Sequence, residues 1–239
     1  MFLEEVVSDA FGTKCRLLAK QRGGDCVVVD PGIGVVGGLK EKVEAYGLSP
    51  RAVLLTHGHL DHTCSAAAVC ATYGIPAYIH PGDSKMLADP HAGLGPEFSP
   101  QFRRILGPEW RWEPPNDVLY LKDEEELNLA GLELIVEHAP GHTPGSVIFN
   151  LPRGTDGASY CLVGDVLYAG SIGRTDMPGG SRQQTLRSLR EKVLTKDDAT
   201  VLLTGHGRDS TVGVERDVNP FMRQAAALVR DTRSGVRFK

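Results

Sequence analysis

With 239 residues, 41% of them hydrophobic, and a formal net charge of −4, the chain can bury a large core and has no basic excess to attract nucleic acid or an anionic membrane. Residues 1–12 contain Glu4, Glu5 and Asp9 where an export signal needs basic residues and then an apolar stretch, and no run of about 18 apolar residues could span a bilayer. The expectation is one domain over residues 1–239, cytoplasmic, acting on a small molecule, with neither nucleic acid nor membrane as partner.

In chain order, Gln21-Arg22-Gly23-Gly24 marks a hairpin turn before a strand at Cys26–Asp30, which requires at least one antiparallel pair. Val35, Val36, Leu39 and Val43 recur at helical spacing up to Gly47, a residue suited to the position just past a helix, with Pro50 beyond. Strands are predicted at Arg51–Thr56, Glu133–His138, Ser146–Leu151, Tyr160–Gly164 and Thr200–Thr204, and a helix at Ala66–Tyr73. Ser181 with Gln184 forms a capping-box pattern before Leu186, Leu189 and Val193. Asn219-Pro220 offers an N-cap and a first-turn proline before Ala225, Leu228 and Val229. The stretch Pro81–Asp117, rich in Pro and Gly and holding Trp110 and Trp112, lacks periodicity and is expected to be a long excursion, either a lid or a surface insertion.

Ligand-type residues cluster directly after the Arg51–Thr56 strand, in the expected loop leading into the Ala66–Tyr73 helix: His57, His59, Asp61 and His62. Neutral imidazoles and carboxylates suit zinc and other divalent first-row metals. Alternation along an extended segment sends His57 and His59 to one side. A single histidine at a strand end is usually structural, but four ligand types within six positions point to a metal. His142, Asp165 and His206 each lie just past a predicted strand, where ligands gather in α/β sheets, so these segments are expected to share one cleft. Gly58, Gly141, Gly164 and Gly205 leave room where backbone passes close to such a site. His80, His91 and His138 belong to no such cluster. The five cysteines, Cys15, Cys26, Cys64, Cys70 and Cys161, lack Cys-x-x-Cys spacing and are expected to be mostly buried thiols.

His-x-His-x-Asp-His at His57–His62, Pro140-Gly141-His142-Thr143-Pro144-Gly145, Gly164-Asp165 and Gly205-His206-Gly207 together resemble the metallo-β-lactamase superfamily. Gly170-Ser171-Ile172-Gly173-Arg174-Thr175-Asp176 is similar to its glyoxalase II-like branch, in particular the short bacterial members. The resemblance implies an α/β (α+β) fold, a four-layer αββα sandwich of two mixed sheets with helices outside. It places His57, His59 and His142 on one divalent ion, Asp61, His62 and His206 on a second, and Asp165 between them. Zinc leads, and iron or manganese suits the same donors. Asp30 is a candidate for orienting ligands from behind.

Two such ions about 3.5–4 Å apart supply hydroxide near neutral pH. Asp61 is the expected catalytic residue, orienting that nucleophile and handling its proton. The implied activity is a glyoxalase II-like thioesterase that cleaves S-2-hydroxyacyl thioesters, such as S-lactoylglutathione, to hydroxy acid and thiol. Full-length enzymes of that kind carry a separate C-terminal helical domain to grip glutathione. None is expected here, and Arg174 is the substrate-binding candidate, its planar fork suiting a carboxylate. The alternative is a mononuclear iron persulfide dioxygenase using His57, His142 and Asp165. A non-catalytic structural metal domain is remote, since such sites are usually rich in cysteine.

Overall fold

The structure, a computed structural model, describes residues 1–95, 99–152 and 156–233. β1 (Phe2–Val7), β2 (Lys14–Ala19), β3 (Asp25–Val29), β4 (Ser49–Leu54), β5 (Ala77–Ile79) and β6 (Val118–Tyr120) form one sheet in that spatial order. Its first three strands are antiparallel and β3 to β6 are parallel. The second sheet runs β12 (Ser210–Thr211), β11 (Val201–Thr204), β10 (Tyr160–Gly164), β9 (Val147–Leu151), β8 (Leu132–His138) and β7 (Glu126–Leu129). There only β10 and β11 are parallel.

Alternation along the strands divides the apolar residues between two faces. Leu18, Val27, Val29 and Leu54 of the first sheet meet Val136, Phe149, Leu162 and Leu203 of the second in the central core. Neighbouring positions point outward and are covered by helices. Leu17, Val28 and Val53 pack with α1 (Val36–Tyr46) and, beyond the short α2 (Leu60–Thr63), with α3 (Ala66–Tyr73). After α4 (Ser84–Ala88) and α5 (Ser99–Leu106), the helices α6 (Arg182–Ser188), α7 (Val212–Val218) and α8 (Pro220–Arg233) follow. They and the turn at Leu189–Val193 cover Ile148, Cys161 and Val163. The layers are helix, sheet, sheet, helix. Strands covered on both faces read as near-continuous hydrophobic runs, which is why they were visible in the sequence.

Most elements fall within one or two residues of expectation. α3 and β10 match throughout, and Gly47 ends α1 in the left-handed region at φ 61°. The hairpin turn joins antiparallel β2 and β3.

Other expectations need correction. Asp61 and His62 sit in the helical turn α2 rather than in a loop. Ser181 caps α6 by accepting from Gln184 N, but its own N–H donates to Gly141 O at 2.7 Å, so backbone replaces the reciprocal arm of a capping box. α8 buries Met222 and Ala225, while Leu228 is exposed because burial along the described part of the helix ends at Ala225. The side chain of Val229 lies outside the described residues. The excursion is not structureless: α4, α5 and two 3-10 turns lie within it, each too short to show a period, and residues 96–98 are outside the described set.

Among the described residues no helix is long and apolar enough to cross a membrane. Phe149 is fully buried between the sheets. Phe149→Ala is expected to cost about 3–5 kcal/mol of stability, the usual penalty for a core aromatic, seen as a lowered urea midpoint.

Candidate metal centre

Backbone topology delivers the ligand-type residues to one edge of the sandwich. His57 and His59 follow β4, α2 carries Asp61 and His62, His142 follows β8, Asp165 follows β10 and His206 follows β11. Three overlapping sets of potential ligand atoms each lie within 4.8 Å: His57, His59 and His142; His57, His62 and Asp165; Asp61, His62 and His206. All seven residues named from the sequence therefore meet. His59 Nδ1 is 2.9 Å from His142 Nε2, which is 3.3 Å from His57 Nε2. Across the site His62 Nε2 is 3.0 Å from His206 Nε2, and Asp165 Oδ1 lies 3.3 Å from His62 Nε2.

Hydrogen bonds at the far side of four of the five rings show which nitrogens face inward as lone pairs. Thr56 Oγ1 gives its one hydrogen to Asp30 Oδ2 at 2.7 Å, so it accepts from His57 Nδ1 at 3.0 Å. His62 Nδ1 donates to Asp30 Oδ2 at 3.1 Å, His142 Nδ1 to Arg174 O at 2.7 Å, and His206 Nδ1 to Phe11 O at 3.0 Å. With those positions protonated, the Nε2 atoms of His57, His62, His142 and His206 aim lone pairs at one another. Neutral imidazoles repel in that arrangement unless a cation lies between them. Tetrahedral zinc spaces its nitrogens about 3.3 Å apart at bonds of about 2.0–2.1 Å, which the observed separations approach. Asp165 Oδ1 is buried without a hydrogen-bond partner among the described residues. This donor set fits divalent metal ions, and the anchoring of four of the five rings from behind is the usual support of metal-ligating histidines.

In the metal-free chain, protons relieve part of the crowding. Burial alone would lower His62, but the charges of Asp165 and Asp61 hold it well above the usual histidine range. For His206, burial is likewise outweighed, by hydrogen bonds to Asp165 and Asp61, and its pKa is lifted to about 9. Burial pushes His57 well below its ordinary value, aided by His62, and brings His59 to about 3, aided by His142. Burial would raise both carboxyls, yet the His62 charge leads the effects that bring Asp61 to about 2 and hold Asp165 well below the usual range.

Several supporting residues carry no sequence signal. Asp83 is buried and ties two ligand loops together: Gly58 N donates to its Oδ2 at 2.8 Å, Thr143 Oγ1 to the same oxygen at 2.6 Å, and Gly145 N to its Oδ1 at 2.6 Å. Its carboxyl is raised by burial despite these bonds. Tyr168 donates its hydroxyl to Asp165 Oδ2. Arg16, buried between the sheets, reaches Asp209 Oδ1 at 2.6 Å and Thr204 O at 3.0 Å, binding β2 to the strand that precedes His206. Such partners are distant in sequence, so no motif announces them.

Asp30, at φ 49°, points its carboxylate at His62 as well as Thr56, in keeping with an orienting role. Of the residues left outside the cluster, His80 and His138 stack with ring centroids 3.9 Å apart, and burial with its neighbour His138 brings His80 to about 4. All five cysteines are free thiols. Cys15, Cys26, Cys70 and Cys161 are buried and Cys64 half-buried, its thiol pushed by burial to about 11. The ligand cluster opens onto a cavity of ≈320 Å³ whose other walls include Phe11, Leu94, Phe102, Met177 and Arg174. Arg174 sits at its exposed rim and grips Asp176 with Nε and a terminal nitrogen at 2.9 and 2.7 Å.

The model of the Metallo-beta-lactamase superfamily matches residues 11–206. The chain belongs to this superfamily. An uncharacterized protein of Mycobacterium tuberculosis is 44% identical over 209 residues, 87% of this chain and 92% of that one. The hydroxyacylglutathione hydrolase GloC of Haemophilus influenzae is 30% identical over 223 residues, 93% and 98% of the two chains. Among solved structures, the BLEG-1 B3 metallo-beta-lactamase superposes with TM-score 0.76 at 31% identity, covering 92% of this chain and 99% of that one. TTHA1623 in a di-iron-bound form gives 0.74 at 31%, covering 91% and 99%. Superfamily membership brings with it a metal-dependent, hydrolase-type enzyme.

Two outcomes are expected of this centre. A Cβ on Gly205 would collide with Asp165 Oδ1 and come within 2.8 Å of His62 Cε1. Gly205→Ala should therefore lose most bound metal, measured by elemental analysis, while far-UV circular dichroism stays native. Because His206 titrates at about 9 in the metal-free chain, metal uptake at pH 7 must displace its proton. Calorimetry in buffers of differing ionisation enthalpy should record at least one proton released per chain, with apparent affinity rising as pH increases towards 9.

Proposed function

We propose that the protein is a dinuclear metal hydrolase of the glyoxalase II kind, converting S-2-hydroxyacyl thioesters such as S-lactoylglutathione to hydroxy acid and thiol. One observation carries the reading: two donor sets, His57, His59 and His142 on one side and Asp61, His62 and His206 on the other, flank Asp165 within bonding reach. The likeness to GloC supports the thioester assignment, and the likeness to a di-iron protein supports two ions; the donor chemistry suits zinc, iron and manganese alike.

Divalent ions held there would lower the pKa of a water towards neutrality and polarise the acyl carbonyl. The chain supplies the positioning. Asp61, fixed by a hydrogen bond from Thr13 Oγ1 at 3.2 Å and kept anionic at neutral pH, orients the attacking water by accepting its hydrogen. Thr56, Asp30, Arg174 O and Phe11 O hold four of the rings against rotation. A thiol of pKa about 8.5 departs as thiolate with little need of a general acid. Arg174 is proposed to contact a substrate carboxylate, in competition with Asp176.

A mononuclear persulfide dioxygenase needs only His57, His142 and Asp165 and leaves Asp61, His62 and His206 without a task, so the hydrolase reading accounts for more of the site. A structural metal domain leaves the adjoining cavity unexplained. The deciding experiment measures metal per chain together with S-lactoylglutathione hydrolysis, with a β-lactam and a persulfide as comparison substrates. Expected are up to two metals, thioesterase activity and its near-complete loss in His59→Ala. One iron per chain with oxygen consumed on persulfide would overturn the proposal.

A further inference from the structure

The cavity beside the ligand cluster has two unlike sides. On one lie the ligand residues and Tyr168, whose hydroxyl is committed to Asp165. The other is built from Phe11, Leu94, Phe102 and Met177, and apart from the ligands the polar side chains lining the cavity are Tyr168 and the rim residue Arg174. This apolar wall belongs to a cluster in which Leu94 and Phe102, from the excursion, pack with Ile33 and with Leu60, which stands between His59 and Asp61; Met177 packs against it. The excursion is thus joined to the ligand loop through hydrophobic contact.

Phe11 adds a second, independent point. Its backbone lies in the left-handed region at φ 64°, a conformation uncommon for a large side chain. Its carbonyl is the acceptor for His206 Nδ1. The residue is 37% exposed, and its ring rests on Phe102 with centroids 5.0 Å apart. The backbone bond and the ring contact together fix an aromatic face at the mouth of the cavity. Binding sites place strained residues where the surrounding structure over-determines them.

From this wall we infer that the site favours thioesters whose acyl group extends as an aliphatic chain longer than that of a lactoyl group. The inference rests on the thioesterase reading above and refines its substrate. Water adds to the acyl carbon and the carbon–sulfur bond breaks with its electron pair on sulfur; one hydrogen of the water goes to that thiolate to give the thiol, and the other stays with the new oxygen in the alkanoic acid. Phe11, Phe102, Leu94 and Met177 offer an aliphatic chain an apolar face of the cavity to lie against. Each methylene laid against it gains about 0.8 kcal/mol, close to fourfold.

The test uses the metal-loaded full chain with glutathione thioesters of one thiol and varied acyl groups: lactoyl, acetyl, butyryl and hexanoyl. Expected is a rise in kcat/KM of about threefold to fourfold per methylene from acetyl to hexanoyl, with hexanoyl above lactoyl. Phe11→Asn keeps a residue tolerant of positive φ and the carbonyl that holds His206 while removing the ring. It should retain its metal yet lower the hexanoyl-to-lactoyl ratio at least fivefold, mainly through KM. A flat or falling series, with lactoyl preferred, overturns this inference and leaves the thioesterase reading standing. No hydrolysis of any thioester by the metal-loaded protein overturns both.

Discussion

Everything at the sandwich edge depends on holding imidazole lone pairs face to face. Nε2 atoms of neutral rings whose other N–H is already donated repel at 3.0 to 3.3 Å, so the arrangement persists only where the rings are braced from outside and a cation, proton or metal, is accepted inside. The bracing is visible in four of the five histidines, each giving its other N–H to an oxygen. The inner acceptors are Asp61 and Asp165, whose charges draw protons onto His62 and His206 when no metal competes. A site of this kind trades folding comfort for affinity, since the same repulsion that destabilises it empty is relieved by binding.

The fold explains why the bracing groups are where they are. Asp30 follows β3 and Thr56 follows its parallel neighbour β4, so adjacent strand ends place a carboxylate against His62 and, through Thr56, behind His57. The turn between β1 and β2 crosses to the second sheet, where Thr13 bridges His206, Lys14 N bonds Gly205 O at 2.9 Å and Phe11 O receives the ring. Arg16 fastens the same strand to Asp209 and Thr204 O. Two sheets that share a hydrophobic core are thereby fixed relative to each other at the edge where the ligands from both must meet, and small errors there would separate the two donor sets.

The polar cluster and the apolar wall have a common border at α2. Leu60 points into the satellite core while its neighbours His59 and Asp61 point to the site. The excursion from Pro81 reaches the site twice, through Asp83, which pins Gly58 and Gly145, and through Leu94 and Phe102. A stretch without sequence periodicity is in this way part of the walls of the site.

The sequence by itself determined the strands buried on both faces, the helices closed by Gly47 and opened by Ser181 and Asn219, and the set of seven metal-type residues, because these depend on local spacing and on residue chemistry at strand ends. The ring orientations, the pairing of Asp30 with His62, and the roles of Asp83, Tyr168 and Arg16 were decided by tertiary structure alone. So were the engagement of Arg174 by Asp176 and the aromatic wall of Phe11 and Phe102. Each of these is a contact between segments far apart in the chain or a side-chain geometry set by such contacts, and neither periodicity nor composition carries information about which distant groups a fold brings within hydrogen-bonding reach.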